Sequence, residues 1–183
     1  MIFTAAPLAG AFLIDLEPFS DERGWFARYY DRKEFEQIGH DKDWVQLNHS
    51  VSYKKGTLRG MHFQFPPFRE IKMVRCIAGA VYDVIVDLRE SSPTFLQTFG
   101  TELSARNNKM LYIPEGFAHG FQTLEDNSTL LYHHSEYYTP GSEGGFRFDE
   151  PRFAIQWPLP VTVISERDSR HPWLDKNFKG IGL

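Results

Sequence analysis

Short apolar segments, each ended by turn-forming residues, recur along almost the whole chain. Within them apolar and polar residues tend to alternate, as they do in strands that bury one face. The clearest segments are WVQLNHSVSY (44–53), TLRGMHFQF (57–65), FLQTFGTELS (95–104), KMLYIPEGF (109–117), AHGFQTLE (118–125) and STLLYHHSEYYT (128–139). Strands at this close spacing favour a β-sandwich, barrel or jelly roll over repeated βαβ units. We therefore expect an all-β fold with a few short helices.

Two local patterns predict individual elements. In DRKEFEQIG (31–39), two apolar residues lie three positions apart, and Gly39 can end a helix. In IKMVRCIAGAVYDVIVDLR (71–89), two apolar arms flank Ala78 and Gly79, and the second arm alternates with period two. We expect a short helix in the first segment and a β-hairpin in the second.

Length and composition limit the class of protein. A chain of 183 residues can form one domain with a sizeable core, so we expect a single domain over 1–183 with a C-terminal tail from about 169. The net charge of -4 favours neither nucleic acid nor an anionic membrane as a partner. The single cysteine excludes an internal disulfide framework, and no apolar run approaches the ~20 residues of a membrane span. We expect a soluble, cytoplasmic protein.

Part of the sequence is similar to the pattern of metal-binding cupins, β-barrels that hold a metal with histidines and a glutamate. His62 and Glu70 occupy positions of such a pattern, and IPEGFAHGF (113–121) resembles its second half with His119. Gln64 stands where the second histidine of the pair belongs, and a neutral amide is a poor ligand for zinc, iron or manganese. We therefore expect no metal.

The segment TLRGMHFQF carries Arg59 and His62, two groups that are costly to bury without partners. A core histidine with both nitrogens satisfied is the alternative for His62. Strict alternation would point the two side chains to opposite faces of a strand. A bulge or bend at Gly60 would bring them together, because glycine suits such a bend.

The segment LLYHHSEYY (130–138) predicts a face of polar and aromatic groups. In a regular strand Tyr132, His134, Glu136 and Tyr138 point to one side, and His133 points to the other. An aromatic barrel wall explains most of these residues, but a tyrosine that faces the interior can donate a proton.

Two further charged residues are candidates. Lys72 opens the apolar arm IKMVRC, where an ordinary surface lysine is the alternative. Asp168 ends ISERD, and an aspartate in a late loop is usually solvated or a helix cap. Asp168 gains a catalytic meaning only if it orients a histidine.

A set of motifs in one order and spacing carries a family resemblance. They are FSDERGWF, VQLNHS, GTLRGMHFQ, IKMVRC, VYDVIVDLR, SPTF, YIPEGFAHGFQTL, YYTP and SERD, and they run from about residue 10 to 168. Together they resemble the dTDP-4-dehydrorhamnose 3,5-epimerase family of sugar-nucleotide epimerases. The resemblance implies a cupin-type jelly-roll β-barrel, a homodimer that exchanges N-terminal strands, and no metal or nicotinamide cofactor.

The resemblance also implies a reaction. The substrate is a nucleotide-linked 4-keto-6-deoxyhexose, whose C4 carbonyl acidifies the protons on C3 and C5. By resemblance His62 is the base, and Asp168 holds its imidazole. Lys72 lies where the family stabilises the enolate oxygen, and Tyr132 matches the family's acid on the far face.

The remaining implied residues bind the substrate. Guanidinium groups suit a diphosphate, and aromatic faces suit a pyrimidine ring. The family pattern places Arg23, Arg59 and His119 near the phosphates or sugar, and Phe26, Gln46, Asn48, Tyr138 and Glu143 in contact with the base or sugar.

The sequence departs from the family pattern at several positions. Arg28 stands where the family usually has Glu, and His133 and His134 replace Lys or Gln and a small polar residue. GSEGGFRFDEP (141–151) replaces the usual ERGIRWDDP. These departures bear on which nucleotide or hexose is accepted. Relatives that act at C3 alone or at C5 alone share the same residues, so the resemblance leaves open whether C3, C5 or both are inverted.

Three other functions are alternatives at this point. A ketoisomerase of the same sugar nucleotides would also use a histidine base, although Tyr132 argues against it. A metal cupin, such as a dioxygenase, is disfavoured by Gln64. A sugar-binding module without activity would have no use for a pair of His62 and Asp168.

Overall fold

Two β-sheets face each other in the protein, whose computed structural model describes residues 1–182. The strands are β1 (Ile2–Ala5), β2 (Phe12–Asp15), β3 (Phe19–Asp21), β4 (Gly24–Phe26), β5 (Gln46–Ser52), β6 (Thr57–Gln64), β7 (Lys72–Ala78), β8 (Ala80–Asp87), β9 (Thr98–Ser104), β10 (Met110–Ile113), β11 (Phe117–Thr123), β12 (Ser128–His134), β13 (Glu143–Gly145) and β14 (Val163–Ile164). The helices are α1 (Arg32–Phe35), α2 (Glu166–Ser169) and the 3₁₀ turns Glu36–Ile38 and Pro151–Phe153. The prediction of an all-β fold with a few short helices is confirmed.

Apolar side chains from both sheets form the core between them. Sheet one has the strand order β1-β2-β10-β7-β12-β5, and sheet two has the order β13-β6-β11-β8-β9 with β14 parallel to β6. Val74 and Leu130 of sheet one pack in one buried cluster with Ile85 and Phe121 of sheet two. Full burial of such a side chain contributes about 1.5–3 kcal/mol, so this cluster holds the sheets together.

The outer face of sheet two is also covered. On β8 Val84 and Val86 alternate with the inward-facing residues, as the sequence pattern predicts, and pack in a second cluster. The last part of the chain supplies the cover, with Phe153, Leu174 and Ile181 all buried in the same cluster. Sheet two is therefore buried on both faces, which keeps its strands in a fixed position under the site.

The predicted hairpin at Ala78 and Gly79 is wrong. β7 pairs with β10 and β12 in sheet one, whereas β8 pairs with β9 and β11 in sheet two. The chain crosses between the sheets at Gly79, where φ is 70° and an added Cβ would lie 2.6 Å from Oγ of Ser128. Both arms are apolar, and each is buried more completely as an inner strand of its own sheet than in an isolated pair.

The predicted helix over 31–39 is confirmed in a shortened form. The Asp31 side chain accepts hydrogen bonds from two backbone N–H groups of the first turn and so caps α1. Phe35 is buried, and Gly39 ends the following 3₁₀ turn with φ 78°. Within residues 1–182 no helix has the length and apolarity needed to cross a membrane.

The bend expected at Gly60 is present in β6. His62 lies opposite His119 of β11, but Arg59 lies opposite Phe121, so β6 has one extra residue between the two pairs. Gly60 has φ 124°, a backbone angle that residues with a Cβ rarely adopt. The bulge therefore turns Arg59 and His62 toward the same cavity.

Replacing Gly60 by Ala should destabilise the fold strongly. An added Cβ would lie 2.5 Å from Cα of Gly120 and 2.9 Å from the carbonyl oxygen of His119, and neither backbone atom can move easily. We expect the free energy of unfolding to fall by about 3 kcal/mol or more, measured by urea denaturation.

Gly39→Ala is the matched control for this substitution. Gly39 also has a positive φ, but an added Cβ there would meet nothing within 4 Å. We expect this variant to lose only about 1 kcal/mol. Equal losses in the two variants would contradict a close backbone contact at Gly60.

Candidate active site

A cavity of about 820 Å³ lies between the two sheets, and a second cavity of about 610 Å³ shares His62 and Lys72 with it. Cavities of this size commonly bind small molecules and cofactors. The predicted residues that line the first cavity are Asn48, Arg59, His62, Lys72, His119, Tyr132 and Asp168. Those that line only the second are Gln46, Tyr138 and Glu143. The structure brings together all of the predicted site residues except Arg23 and Phe26.

His62 and Asp168 form a hydrogen-bonded pair on one wall of the cavity. Nε2 of His62 lies 2.9 Å from Oδ1 of Asp168. Because an ionised carboxylate only accepts, Nε2 carries the proton and Nδ1 keeps a lone pair that can remove a proton from a ligand. The backbone N–H of Gly60 donates to the other oxygen of Asp168 at 3.1 Å. The bend at Gly60 therefore turns the histidine and also anchors its partner.

The Asp168 carboxylate is buried and ionised. Burial acts to raise the pKa of Asp168, but the hydrogen bond and charge of His62 and the Gly60 N–H outweigh burial and hold this pKa well below its usual range. The N–H of Asp168 donates to Oγ of Ser165 at 3.0 Å, which caps α2. Asp168 is thus fixed by both its backbone and its side chain.

A second pair of histidine and carboxylate lies deeper between the sheets. Nε2 of His119 lies 2.9 and 3.0 Å from the two oxygens of Asp83, which is fully buried. His119 is the cross-strand neighbour of His62. Asp83 is absent from the predicted residues. Its signal in the sequence is an aspartate within the apolar run VYDVIVD, because a carboxylate buried there needs a partner.

Tyr132 lies on the wall opposite His62. It belongs to β12 of sheet one, whereas His62 belongs to β6 of sheet two, and both line the first cavity. The Tyr132 hydroxyl lies 3.2 Å from Oγ of Ser50. Burial raises the pKa of Tyr132 well above its usual value, so the phenol keeps its proton. This arrangement suits an acid and a base that act on opposite faces of a ligand.

Lys72 is a buried, paired cation rather than a surface lysine. Its Nζ lies 3.0 Å from Oε1 of Glu70, and Nδ1 of His134 lies 2.6 Å from Oε2 of the same carboxylate. Burial acts to raise the pKa of Glu70, but the Lys72 charge and the His134 hydrogen bond outweigh burial and lower this pKa to about 2. An ammonium has three N–H groups, so Lys72 keeps donors for a ligand.

The prediction for LLYHHSEYY is correct only as far as His134, where β12 ends. Tyr132 and His134 share the cavity side and stack with ring centroids 6.1 Å apart. His133 does not line either cavity. Glu136 and Tyr138 lie beyond the strand, and Tyr138 reaches the second cavity from a loop.

The second cavity has a polar and aromatic rim. Nε2 of Gln46 donates to Oδ1 of Asn48 at 3.3 Å, and the N–H of Tyr138 donates to Oε1 of Gln46 at 3.0 Å. A hydrogen bond to Glu143 raises the pKa of the Tyr138 hydroxyl. Arg59 lines the first cavity with Nε donating to Oγ of its neighbour Ser52 at 3.1 Å. Such groups can contact a sugar, a base or a phosphate.

Arg23 and Phe26 lie outside both cavities. They belong to the hairpin of β3 and β4, which pairs with neither main sheet, and Phe26 is 70% exposed. Arg23 forms an ion pair with Asp21 at 2.5 Å. Arg28 also lies outside, 3.5 Å from Asp31. Within one copy of the chain, these residues do not reach the site.

Gln64 stands where the metal-cupin pattern has a histidine, and its side chain forms hydrogen bonds to the backbone of two loops. Its Nε2 donates to the carbonyl oxygens of Phe68 and Tyr137 at 3.0 and 3.2 Å. Its Oε1 accepts from the N–H of Thr139 at 3.0 Å. Both N–H groups and the oxygen of the Gln64 amide therefore take part in hydrogen bonds to backbone.

One group of side chains in residues 1–182 has the spacing of cation ligands. His62, Asp168 and His171 each offer an atom within 4.8 Å of the others. Both Asp168 oxygens already accept hydrogen bonds, from His62 and Gly60. A cation here would displace the bond that fixes His62, so we interpret the group as the pair of His62 and Asp168 beside a second imidazole. Burial lowers the pKa of His171 and favours its neutral form.

The chain is similar to one family over almost its whole length. The family model described as dTDP-4-dehydrorhamnose 3,5-epimerase matches residues 5–176. The dTDP-4-dehydrorhamnose 3,5-epimerase of Salmonella typhimurium is 43% identical over 178 residues, which cover 96% of this chain and 97% of that relative.

Solved structures extend the similarity to the fold. The dTDP-6-deoxy-D-glucose-3,5-epimerase of Legionella pneumophila, in complex with dTDP-4-keto-L-rhamnose, matches with a TM-score of 0.89 and 37% identity over 94% of this chain and 92% of its own. A 3'-monoepimerase from Streptomyces bikiniensis, in complex with dTDP-quinovose, matches with a TM-score of 0.84 and 33% identity over 92% of this chain and 85% of its own. These similarities confirm the predicted cupin-type jelly roll.

Replacing Asp168 by Asn should lower stability in a pH-dependent way. The variant loses a buried carboxylate that accepts from His62 and Gly60, and we expect the free energy of unfolding at pH 7 to fall by about 2 kcal/mol. Because the pKa of Asp168 is lower in the folded than in the unfolded chain, the stabilisation is complete above the unfolded value of about 3.9. It is lost progressively as the pH falls from that value through the lower pKa of the folded state, so the stability difference between the two proteins should narrow steadily below pH ~4 in urea denaturation.

Asp149→Asn is the control, because Asp149 pairs with Arg147 at the surface. An exposed pair contributes about 0–1 kcal/mol, so this variant should change little at any pH. A stability difference for Asp168→Asn that is the same at neutral and acid pH would contradict the lowered pKa.

Proposed function

The chain belongs to the dTDP-4-dehydrorhamnose 3,5-epimerase family, and we propose that it epimerises a nucleotide-linked 4-keto-6-deoxyhexose. The first substrate to test is dTDP-4-dehydro-6-deoxyglucose. The reaction removes a proton from a carbon next to the C4 carbonyl and returns one to the opposite face. No nicotinamide is needed for this step, because the C4 carbonyl already acidifies the neighbouring C–H bond and the group removed is a proton and not a hydride.

One observation carries this proposal: His62 and Tyr132 stand on opposite walls of one cavity. Inversion needs a base on one face of the sugar and a proton donor on the other. The Nδ1 lone pair of His62 takes the proton from C3 or C5, and Asp168 stabilises the imidazolium that forms. Tyr132, which keeps its proton, delivers it to the opposite face.

The intermediate is an enolate with negative charge on O4. Lys72 supplies the positive charge beside this oxygen, and it is buried, so its interaction is weakened little by water. A fixed donor at a developing oxyanion typically contributes about 10²–10³-fold in rate. Enolate formation therefore requires Lys72 as well as the dyad.

The remaining groups would hold the nucleotide. Arg59 and His119 line the first cavity and would contact the diphosphate or sugar, and the Arg59 guanidinium keeps N–H donors for an anion. The rim residues of the second cavity, Gln46, Asn48, Tyr138 and Glu143, would contact the base or sugar. The diphosphate then needs further positive charge, which one copy of the chain does not supply from its N-terminal hairpin.

We propose that a second copy of the chain supplies it, in a homodimer. The β3–β4 hairpin carries Arg23 and Phe26 on an exposed surface, together with Phe19 at 77% and Trp25 at 52% exposure. Exposed aromatic groups of this kind are typical of interfaces. The hairpin of one protomer would place Arg23 at the diphosphate and Phe26 against the base in its partner's cavity.

A single-centre epimerase is the second candidate. The similarity to a 3'-monoepimerase at 33% identity favours it, and the same base, acid and lysine can serve one carbon or two. A ketoisomerase is less well supported, because it has no need for a proton donor on the wall opposite the base. Independence from a metal and a cytoplasmic location stay predictions.

Proton exchange tests the proposed reaction. Incubation with dTDP-4-dehydro-6-deoxyglucose in D₂O should exchange C3–H and C5–H, followed by NMR. His62→Ala should slow both exchanges by about 10²–10⁴-fold, because it removes the general base. His133→Ala should exchange at the wild-type rate, because His133 lines neither cavity.

The outcomes separate the candidates. Exchange at one carbon alone would identify a single-centre epimerase. Loss of exchange in EDTA would contradict metal-free chemistry. No exchange at either carbon, with or without added metal, would contradict the proposed substrate.

Mixing two inactive variants tests the homodimer. Arg23→Ala and His62→Ala proteins should each be nearly inactive alone. If the hairpin completes the partner's site, subunit exchange in a mixture should restore up to about a quarter of wild-type activity. Half of randomly formed dimers are mixed, and each mixed dimer has one intact site. A mixture that stays inactive, although light scattering or labelled subunits show mixed dimers, would mean that Arg23 serves its own protomer.

A further inference from the structure

We propose that His134 is a positioning residue for this reaction: through the Glu70 carboxylate it holds the Lys72 ammonium in place at the enolate oxygen. This inference rests on the proposed function, because it concerns the same cavity. Neither Glu70 nor His134 is among the residues predicted to act in the site.

The register of sheet one places the residues involved in a row. His134 on β12 lies directly opposite Gln46 on β5 and Lys72 on β7. Directly opposed residues on neighbouring strands point to the same face of a sheet. Glu70 lies two residues before Lys72, the first residue of β7, and its side chain closes the row.

Glu70 connects the histidine to the lysine. Its two oxygens divide between Nδ1 of His134 at 2.6 Å and Nζ of Lys72 at 3.0 Å. Both side chains of the Glu70–His134 pair are only 10% exposed. The carboxylate is therefore held from two sides, and a carboxylate that cannot rotate fixes the ammonium that it binds.

The backbone N–H of Tyr138 sets the direction of the hydrogen bonds that lead to His134. The N–H of Tyr138 donates to Gln46, which identifies that amide atom as the oxygen. The NH₂ of Gln46 then donates to Oδ1 of Asn48 at 3.3 Å. The NH₂ of Asn48 in turn donates to Nε2 of His134 at 3.2 Å, so this nitrogen bears no proton.

The tautomer of His134 is thereby set. A neutral imidazole with Nε2 as acceptor has its proton on Nδ1, which donates to Glu70. All bonds from Tyr138 to Glu70 run in one direction, and chains of this kind strengthen each member. The chain begins at residues proposed to contact the base or sugar and ends at the catalytic lysine.

Lysine needs such a support more than arginine would. Its ammonium sits on a flexible stem of four carbons, and a donor stabilises an oxyanion well only when it is already in place. Removing the His134 bond leaves Glu70 free to rotate, and the ammonium moves with it. Displacements of about 1 Å can cost 10²-fold in rate.

His134→Ala should therefore lower kcat by about 10- to 100-fold while KM and the Kd for dTDP stay within about twofold. His134→Asn keeps an N–H at the position of Nδ1, and it should recover most of the lost kcat. His133→Ala is the matched control and should resemble wild type. A wild-type kcat for His134→Ala, or an equal loss in His133→Ala or His134→Asn, would overturn the proposal.

A second measurement does not depend on activity. Limited acetylation followed by mass spectrometry reports how freely each lysine reacts. Lys72 should acetylate at least about threefold faster in His134→Ala than in wild type or His133→Ala, because it is no longer held by a fixed carboxylate. An unchanged rate would overturn the positioning role even if the substrate proposed above proves wrong. If the wild type shows no epimerase activity but Lys72 still acetylates faster in His134→Ala than in wild type, the positioning role is supported and the proposed function alone is rejected.

Discussion

Paired charges between the two sheets are the constraint on which the whole site depends. A buried carboxylate without donors costs several kcal/mol, so a site that contains three of them would not be stable by itself. Each carboxylate instead meets a histidine. The pairs are His62–Asp168, His119–Asp83 and His134–Glu70. The same bonds that permit burial also fix the protonation of each imidazole, and this fixed protonation is what proton transfer requires.

The bend in β6 shows how far a sequence can predict a site. Strict alternation conflicts with a shared cavity for Arg59 and His62, and the bulge at Gly60 between them resolves that conflict. The conflict is local, so it is visible in the sequence. Pairing of strands is not local: β7 and β8 are both apolar, and alternation alone does not say which strand lies beside which. The wrong hairpin has this cause.

The site residues that the sequence did not predict also depend on contacts between distant parts of the chain. Asp83 and His119 are 36 residues apart, and Glu70 and His134 are 64 apart, so only the folded sheets bring each pair together. Asp168, in contrast, could be named from the family motif SERD. Arg23 could be named in the same way, but one chain leaves it on an exposed hairpin. A motif identifies a residue's role without saying which copy of the chain fulfils it.

Glu70 and Gln64 explain why the cation in this cavity is the ammonium of Lys72 and not a metal ion. Both stand at positions of the metal-cupin pattern, yet Gln64 is bound to loop backbone and Glu70 is shared by Lys72 and His134. Of these two residues, Glu70 thus holds an ammonium and Gln64 holds loop backbone. An enolate needs a positive charge and a hydrogen bond at its oxygen, and an ammonium provides both without an open coordination position. On one jelly roll, the choice of cation in the cavity therefore decides which chemistry the fold supports.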